Sequence, residues 1–253
     1  MKNMVVLVAG GNGFLGSRVV QVLTQHGHKV IIHSRHNKAV PTHADVIINC
    51  VGIIREDEET FEDAHVVFTK WLLGLGRKLK VRQFIQVSAI GAKPDGNGYQ
   101  RTKWQAEELV RSSRLPFAII RPSMLFGDGD RSVNRFRAFA RTGFLPLFGN
   151  GKVQPVSVDT VAAVVVAAAE NRVRNRAAEV GGQEIFTYAQ LADRVHPGVR
   201  AFLLPRPMRA VFTFFGEVVT ALPTAEMAAM LSQDNMTKDR TIERLGIKNP
   251  RLK

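Results

Sequence analysis

The residues most suggestive of chemistry are Tyr99 and Lys103, in the run Tyr-Gln-Arg-Thr-Lys. On a helix, residues four apart share one face. A phenol of pKa ~10 is a poor acid or base at neutral pH, and a neighbouring ammonium lowers that value by stabilising the phenolate. The same ammonium can hydrogen-bond a ribose. Ser88 closes the apolar run before this helix, where a hydroxyl can orient a substrate oxygen. The three form a candidate catalytic set, with Tyr99 as acid/base, Lys103 tuning it and Ser88 positioning. The other use of the Tyr99–Lys103 pair is packing and ribose binding without turnover.

A second signal lies at the N-terminus, where the apolar run Met4 to Ala9 enters Gly10-Gly11-Asn12-Gly13-Phe14-Leu15-Gly16. Phe14 to Gln25 then has the pattern of a helix. Strand, glycine turn and helix in that order make a pyrophosphate site: without Cβ atoms the backbone approaches the ligand, and the helix N-terminal N–H groups face its charge. The choice between NAD and NADP turns on the end of the second strand, where a carboxylate takes the ribose 2′-hydroxyl or a cation the 2′-phosphate. Here Ser34-Arg35 stands at that place, with Lys38 nearby and no carboxylate, which favours NADP(H). Arg18 offers a second phosphate contact. Cys50, Val51 and Gly52 after the third strand, Val87 and Ser88 ending the fourth, and Arg121, Pro122 and Ser123 ending the fifth complete the expected cofactor contacts. Open α/β sheets bind ligands at these carboxyl ends.

The elements that must hold these residues alternate along the chain. Gly27 reads as the residue that stops the first helix, and strands are expected over 29–34, 45–50, 81–88 and 117–121. A helix over 60–80 directs Phe61, Val67, Phe68, Leu72, Leu75 and Leu79 inward. Further helices are expected over 99–112 and 131–142, and Asp159 reads as the cap of an apolar helix over 161–169. Between Ser34 and Asp45 lie ten residues broken by Pro41, too few for a helix and a strand. The fold class is therefore α/β, a Rossmann-like doubly wound parallel sheet with a small C-terminal α/β elaboration. Residues 1–122 form the dinucleotide-binding core and 123–253 a mixed part that completes the sheet, together one compact unit.

Composition narrows the function. The 253 residues are 45% hydrophobic and 23% charged, as in a folded globular chain. With the start Met-Lys-Asn followed by a short apolar run, no cleavable signal peptide is expected, and no run reaches the ~20 residues of a membrane span. Cys50 is the only cysteine, so neither a disulfide framework nor a cysteine metal site is expected, and no metal is assigned. A net charge of +13 calls for an acidic partner: nucleotide phosphates, anionic lipid or an acidic protein. Nucleic acid is not expected, because the basic residues are dispersed and no motif for it occurs. The clusters Arg131, Arg135, Arg137, Arg141 and Arg172, Arg174, Arg176 read as solvated faces. The apolar stretch 206–222 suits a membrane surface or a protein partner.

With the glycine turn, Ser88, Tyr99 and Lys103 in place, the chain resembles the atypical or extended short-chain dehydrogenase/reductase superfamily. Asn49-Cys-Val-Gly-Ile53, Phe84-Ile-Gln-Val-Ser-Ala-Ile-Gly91, Arg121-Pro-Ser-Met-Leu-Phe-Gly127, Asp130-Arg-Ser-Val-Asn-Arg-Phe136 and Gln154-Pro-Val-Ser-Val-Asp159 narrow the likeness. Together they resemble the nucleotide-binding accessory subunits of respiratory complex I and their bacterial relatives. The resemblance implies bound NADPH and a structural or assembly role more than turnover. It also leaves open an NADPH-dependent oxidoreductase, or a sugar-nucleotide epimerase or dehydratase, working through Tyr99 and Lys103. The implied location is cytoplasmic or peripheral at the inner face of a membrane, and a processed mitochondrial matrix chain would look the same. Relatives carry a helix, a strand and an adenine-contacting acidic residue where this chain has its ten-residue link. The second strand is therefore expected at the sheet edge, with part of one face bare for a partner chain, lipid or the C-terminal segment, and with weakened adenine binding.

Overall fold

The computed structural model describes residues 3–130, 143–216 and 223–252. The expected helix over 131–142 lies outside them, as do 217–222. The chain divides into two units. The first takes Met1–Pro122, Val158–Val180 and Asp239–Asn249, and the second takes Ser123–Ser157, Gly181–Lys238 and Pro250–Lys253. Segments 158–180 and 239–249 thus belong with the N-terminal part and not with the rest of 123–253.

The first unit holds a six-stranded parallel sheet. Its strands are β1 (Val5–Ala9), β2 (Lys29–His33), β3 (Val46–Asn49), β4 (Gln83–Val87), β5 (Phe117–Pro122) and β10 (Arg176–Val180), in the order β10-β5-β4-β3-β1-β2. β1, β3 and β4 are buried almost throughout, as strands covered on both faces must be. Successive side chains serve opposite faces. Ile31 packs against the core cluster that contains Leu7, Ile47, Leu72 and Val110, whereas Ile32 meets Gly11 and the helix α1 (Phe14–Gln25). α1 packs against α4 (Val158–Ala169), which is apolar and buried around most of its circumference. α2 (Phe68–Leu79) and α3 (Gly98–Ser112) cover the other face. Gly27 ends α1 in the left-handed region at φ 78°, with N–H bonds back to Thr24 and, from His28, to Leu23.

The link between β2 and β3 contains no further strand or helix, and β2 is the sheet edge, as the short spacing requires. Part of the exposed ground there is taken by aromatic rings. His33 at the end of β2 lies 5.7 Å from Phe68 and 5.1 Å from Trp71, while Trp71, Val67 and Val40 remain exposed.

Two expectations need correction. Residues 62–67 form a π-helical stretch before α2, not an α-helix running from Thr60. The wider turn rotates the side chains, so Val67 faces solvent and His65 takes an interior place. Asp159 does not cap its helix from outside: it lies in the first turn of α4, where its charge suits the helix N-terminus and pairs with Arg18 at 3.4 Å.

Among its described residues the second unit contains three two-stranded ladders: β6 (Leu125–Phe126) with β9 (Val156–Ser157), β7 (Phe144–Leu147) with β12 (Arg200–Leu203), and β8 (Lys152–Val153) with β11 (Phe186–Thr187). They pack with α5 (Tyr188–Val195) around Leu145, Leu147, Val153, Tyr188 and Leu191. α6 (Arg206–Gly216) exposes Met208, Val211 and Phe214, the last over 75% of its surface. α7 (Ala225–Leu231) follows in the same unit, and α8 (Thr241–Leu245) belongs to the first. No helix among the described residues is long and apolar enough to cross a membrane.

Candidate functional site

The glycine turn is fixed by backbone packing. Gly10 has φ 74°, and a Cβ on it would lie 3.1 Å from the Cys50 carbonyl carbon and from the Val51 nitrogen. A Cβ on Gly16 would meet the Gly10 carbonyl oxygen at 2.0 Å, so the first turn of α1 and the loop before it touch through bare backbone. Gly13 is the N-cap residue and no side chain caps the helix, leaving the first-turn amides to a ligand. Such a cradle fits a dinucleotide diphosphate. Leu15 is buried in the core, and Asn12 donates to Ser34 Oγ at 3.2 Å, tying the turn to the end of β2.

Ser88, Tyr99 and Lys103 lie beyond the carboxyl ends of β3 and β4. Ser88 Oγ is buried with no hydrogen-bond partner among the described residues, an orphan that a cofactor or substrate oxygen would satisfy. Asn97 caps α3 through a capping box with Gln100, which fixes the start of the helix carrying Tyr99 and Lys103. The Lys103 Nζ sits 5.9 Å from the centre of the Tyr99 ring. A Cβ on Gly52 would come within 2.7 Å of that nitrogen, so Gly52 opens the space for the lysine.

The electrostatics differ from the sequence expectation. Burial pushes the Tyr99 phenol up to about 12, with no lowering by Lys103. Burial also brings Lys103 down to about 8, opposed by Cys50 and Glu107. The Cys50 thiol is driven to about 12 by burial, against a smaller opposite pull from Lys103. Desolvation outweighs the ammonium in this enclosed cluster because it disfavours the charged form of each group.

One residue of the cluster was not singled out from the sequence. His65, on the π-helical stretch, bonds Thr102 Oγ1 through Nδ1 at 2.9 Å and accepts from the Ile53 N–H through Nε2 at 3.3 Å. The Thr102 hydroxyl donates to the Gly98 carbonyl, so the proton belongs on Nδ1. Burial, then Lys103, hold His65 neutral, with its pKa lowered to about 2. Its ring stacks on Phe61 at 5.7 Å and meets Tyr99 edge-on at 5.5 Å. Its sequence signal is weak: a lone histidine inside an expected helix.

Other candidate contacts are engaged within the protein. Arg121 grips the wholly buried Glu107 through Nε at 2.8 Å and Nη2 at 2.6 Å, fastening β5 to α3. Arg18 binds Gln21 besides Asp159. Arg35 pairs with Glu59 at 2.9 Å and lies 4.0 Å from Glu58. Val87 is buried, and the Pro122 carbonyl accepts from the Ile90 N–H at 3.1 Å. Ser123 belongs to the second unit, where its hydroxyl donates to the Asn235 carbonyl. Arg172 and Arg174 are exposed, as a solvated face requires, while Arg172 also bonds the Leu245 carbonyl and Arg176 the Thr241 hydroxyl. Away from these groups, His26 and His28 share a Glu170 carboxylate oxygen at 2.8 and 3.5 Å. The Met4 N–H donates to His28 Nδ1 at 3.4 Å, which places the proton on Nε2, towards Glu170.

A parallel sheet with a glycine cradle at the head of its first helix defines a Rossmann-like nucleotide-binding protein. Residues 6–181 match the NAD dependent epimerase/dehydratase family, and the chain belongs to that family. It is 31% identical over 249 residues to "NADH dehydrogenase [ubiquinone] 1 alpha subcomplex subunit 9, mitochondrial" of Arabidopsis thaliana, covering 84% of this chain and 61% of that protein. It is 26% identical over 190 residues to a ceramide reductase of Caulobacter vibrioides, covering 64% and 60%. The chain thus spans about three-fifths of the length of these relatives. A UDP-glucose 4-epimerase from Thermus thermophilus, solved in complex with NAD, shares the fold with a TM-score of 0.70 at 17% identity, covering 97% and 94% of the two chains.

Proposed function

We propose that this protein binds a nicotinamide dinucleotide, NADP(H) in preference to NAD(H), and serves a structural or assembly role in a respiratory membrane complex. The observation that carries cofactor binding is the Gly10–Gly16 contact, which excludes any Cβ and presents the uncapped amides of α1. Arg35 at the end of β2 supports the NADP(H) preference. The role in a complex is supported by the likeness to the Arabidopsis subunit. The apolar face of α6, with Arg206 and Arg209 beside it, and the open ground around Trp71 are surfaces for a protein partner or an anionic membrane. A peripheral place at a membrane, in the cytoplasm or the mitochondrial matrix, follows from that reading.

A second reading is favoured by the orphaned Ser88 oxygen. A bound nicotinamide supplies hydride transfer. Ser88 would then orient a substrate oxygen, Tyr99 would exchange a proton with it, and Lys103 would hold the ribose. Mass spectrometry of nucleotide released from purified protein tests the cofactor, with NADP(H) expected and an empty protein refuting it. Hydride exchange in wild type and Tyr99→Phe separates the roles. Equal, negligible rates support the structural reading, and a rate abolished by the substitution overturns it. Co-purification from solubilised membranes tests the partner.

A further inference from the structure

The Arg35 guanidinium, the cation placed for a 2′-phosphate, is held by a carboxylate that arrives from a distant part of the chain. Its Nη2 lies 2.9 Å from Glu59 Oε2, with Glu58 at 4.0 Å. The segment carrying both acids leaves β3 directly after Cys50-Val51-Gly52 and leads into the π-helical stretch. It is anchored there by the Phe61 N–H, which donates to Glu56 at 2.6 Å. Arg35, Ile53, Arg55, Asp57, Glu58 and Glu59 line a cleft of about 220 Å³. Arg55 is itself paired with Asp57 at 3.3 Å. Glu59, the least exposed of the three carboxylates, is the one closest to Arg35, and a phosphate dianion entering the cleft competes with it for the guanidinium.

We infer that Glu59 is a specificity-determining residue that restrains the preference for NADPH by competing with the 2′-phosphate for Arg35. This rests on the dinucleotide reading above and deepens it. A 2′-phosphate competes with the Glu59 carboxylate for the guanidinium and is repelled by it, whereas a 2′-hydroxyl leaves the ion pair intact. Glu59 thus weakens NADPH and spares NADH. The pair is partly solvated, with 64% of the Arg35 side chain and 31% of Glu59 exposed, so the competition is moderate and screened by salt.

Calorimetric titration of the whole chain with NADPH and NADH, for wild type, Glu59→Gln, Glu58→Gln and Arg35→Gln, tests this. Glu59→Gln is expected to tighten NADPH by about three- to tenfold at low salt and leave NADH unchanged, with a smaller effect from Glu58→Gln. The unchanged NADH affinity also reports a folded variant. In the double variant lacking Arg35 as well, removing Glu59 should no longer tighten NADPH. If both nucleotides bind wild type and Glu59→Gln changes neither, or changes both equally, the inference falls while the dinucleotide reading stands. Failure of every protein to bind either nucleotide overturns both.

Discussion

The interior of the site and its rim are built by different forces. Inside, the Gly10–Gly16 approach, the His65–Thr102–Gly98 hydrogen bonds and the Arg121–Glu107 pair are fixed by exclusion of atoms and of water. At the rim, Arg35–Glu59 and Arg18–Asp159 join exposed side chains whose attraction solvent and salt weaken. On the proposed reading, the interior decides whether a dinucleotide is held and the rim decides which one.

Gly16→Ala should break the interior most severely, because the added carbon strikes backbone that cannot turn aside. Dinucleotide affinity should fall by about 100-fold or more, with a lowered Tm. If Arg35→Gln proved more damaging than Gly16→Ala in the same titration, the contrast would be lost. Glu107→Gln leaves Arg121 and Arg111 facing a neutral amide at a fully buried point. Denaturant unfolding should show a loss of about 3 kcal/mol, reduced if Arg121 is replaced as well.

The pH dependence of stability sharpens the same contrast. The folded state holds His65 near 2, below its ordinary 6.5, so the unfolded chain takes up the extra proton as pH falls. This contribution is complete above pH 6.5 and is lost progressively towards pH 2. Between pH 7 and pH 5 unfolding free energy should drop by about 2 kcal/mol through this residue, a drop that His65→Gln abolishes. The smallest effect belongs to the rim: Arg35→Gln should weaken NADPH by about fivefold at low salt, less at high salt, and leave NADH alone.

The same division explains what could be read from the sequence. β1, the glycine turn and α1 were legible because local rules set them: an apolar run, residues without Cβ, then a helical period ended by Gly27. The edge position of β2 followed from counting residues in the 34–45 link. The partner of Arg35 was not legible, since Glu59 lies 24 residues away and only the course of the chain after β3 brings it near. Val67 was misplaced and His65 passed over because a period of 3.6 residues cannot register the wider π-helical turn. The direction of the Tyr99 shift was not legible because a spacing of four residues shows that Lys103 is near but not that desolvation outweighs its charge.

The first unit is assembled from three separated stretches of chain. Its edge strand β10 and the buried helix α4 come after Pro122, and Asp239 accepts from the Glu179 N–H on the open side of β10. No single cut yields this nucleotide-binding half as a contiguous gene fragment. A clone ending at residue 122 would expose the α1 surface that α4 covers and would be prone to aggregation or degradation. Duplication or fusion during evolution would therefore have to carry both units together.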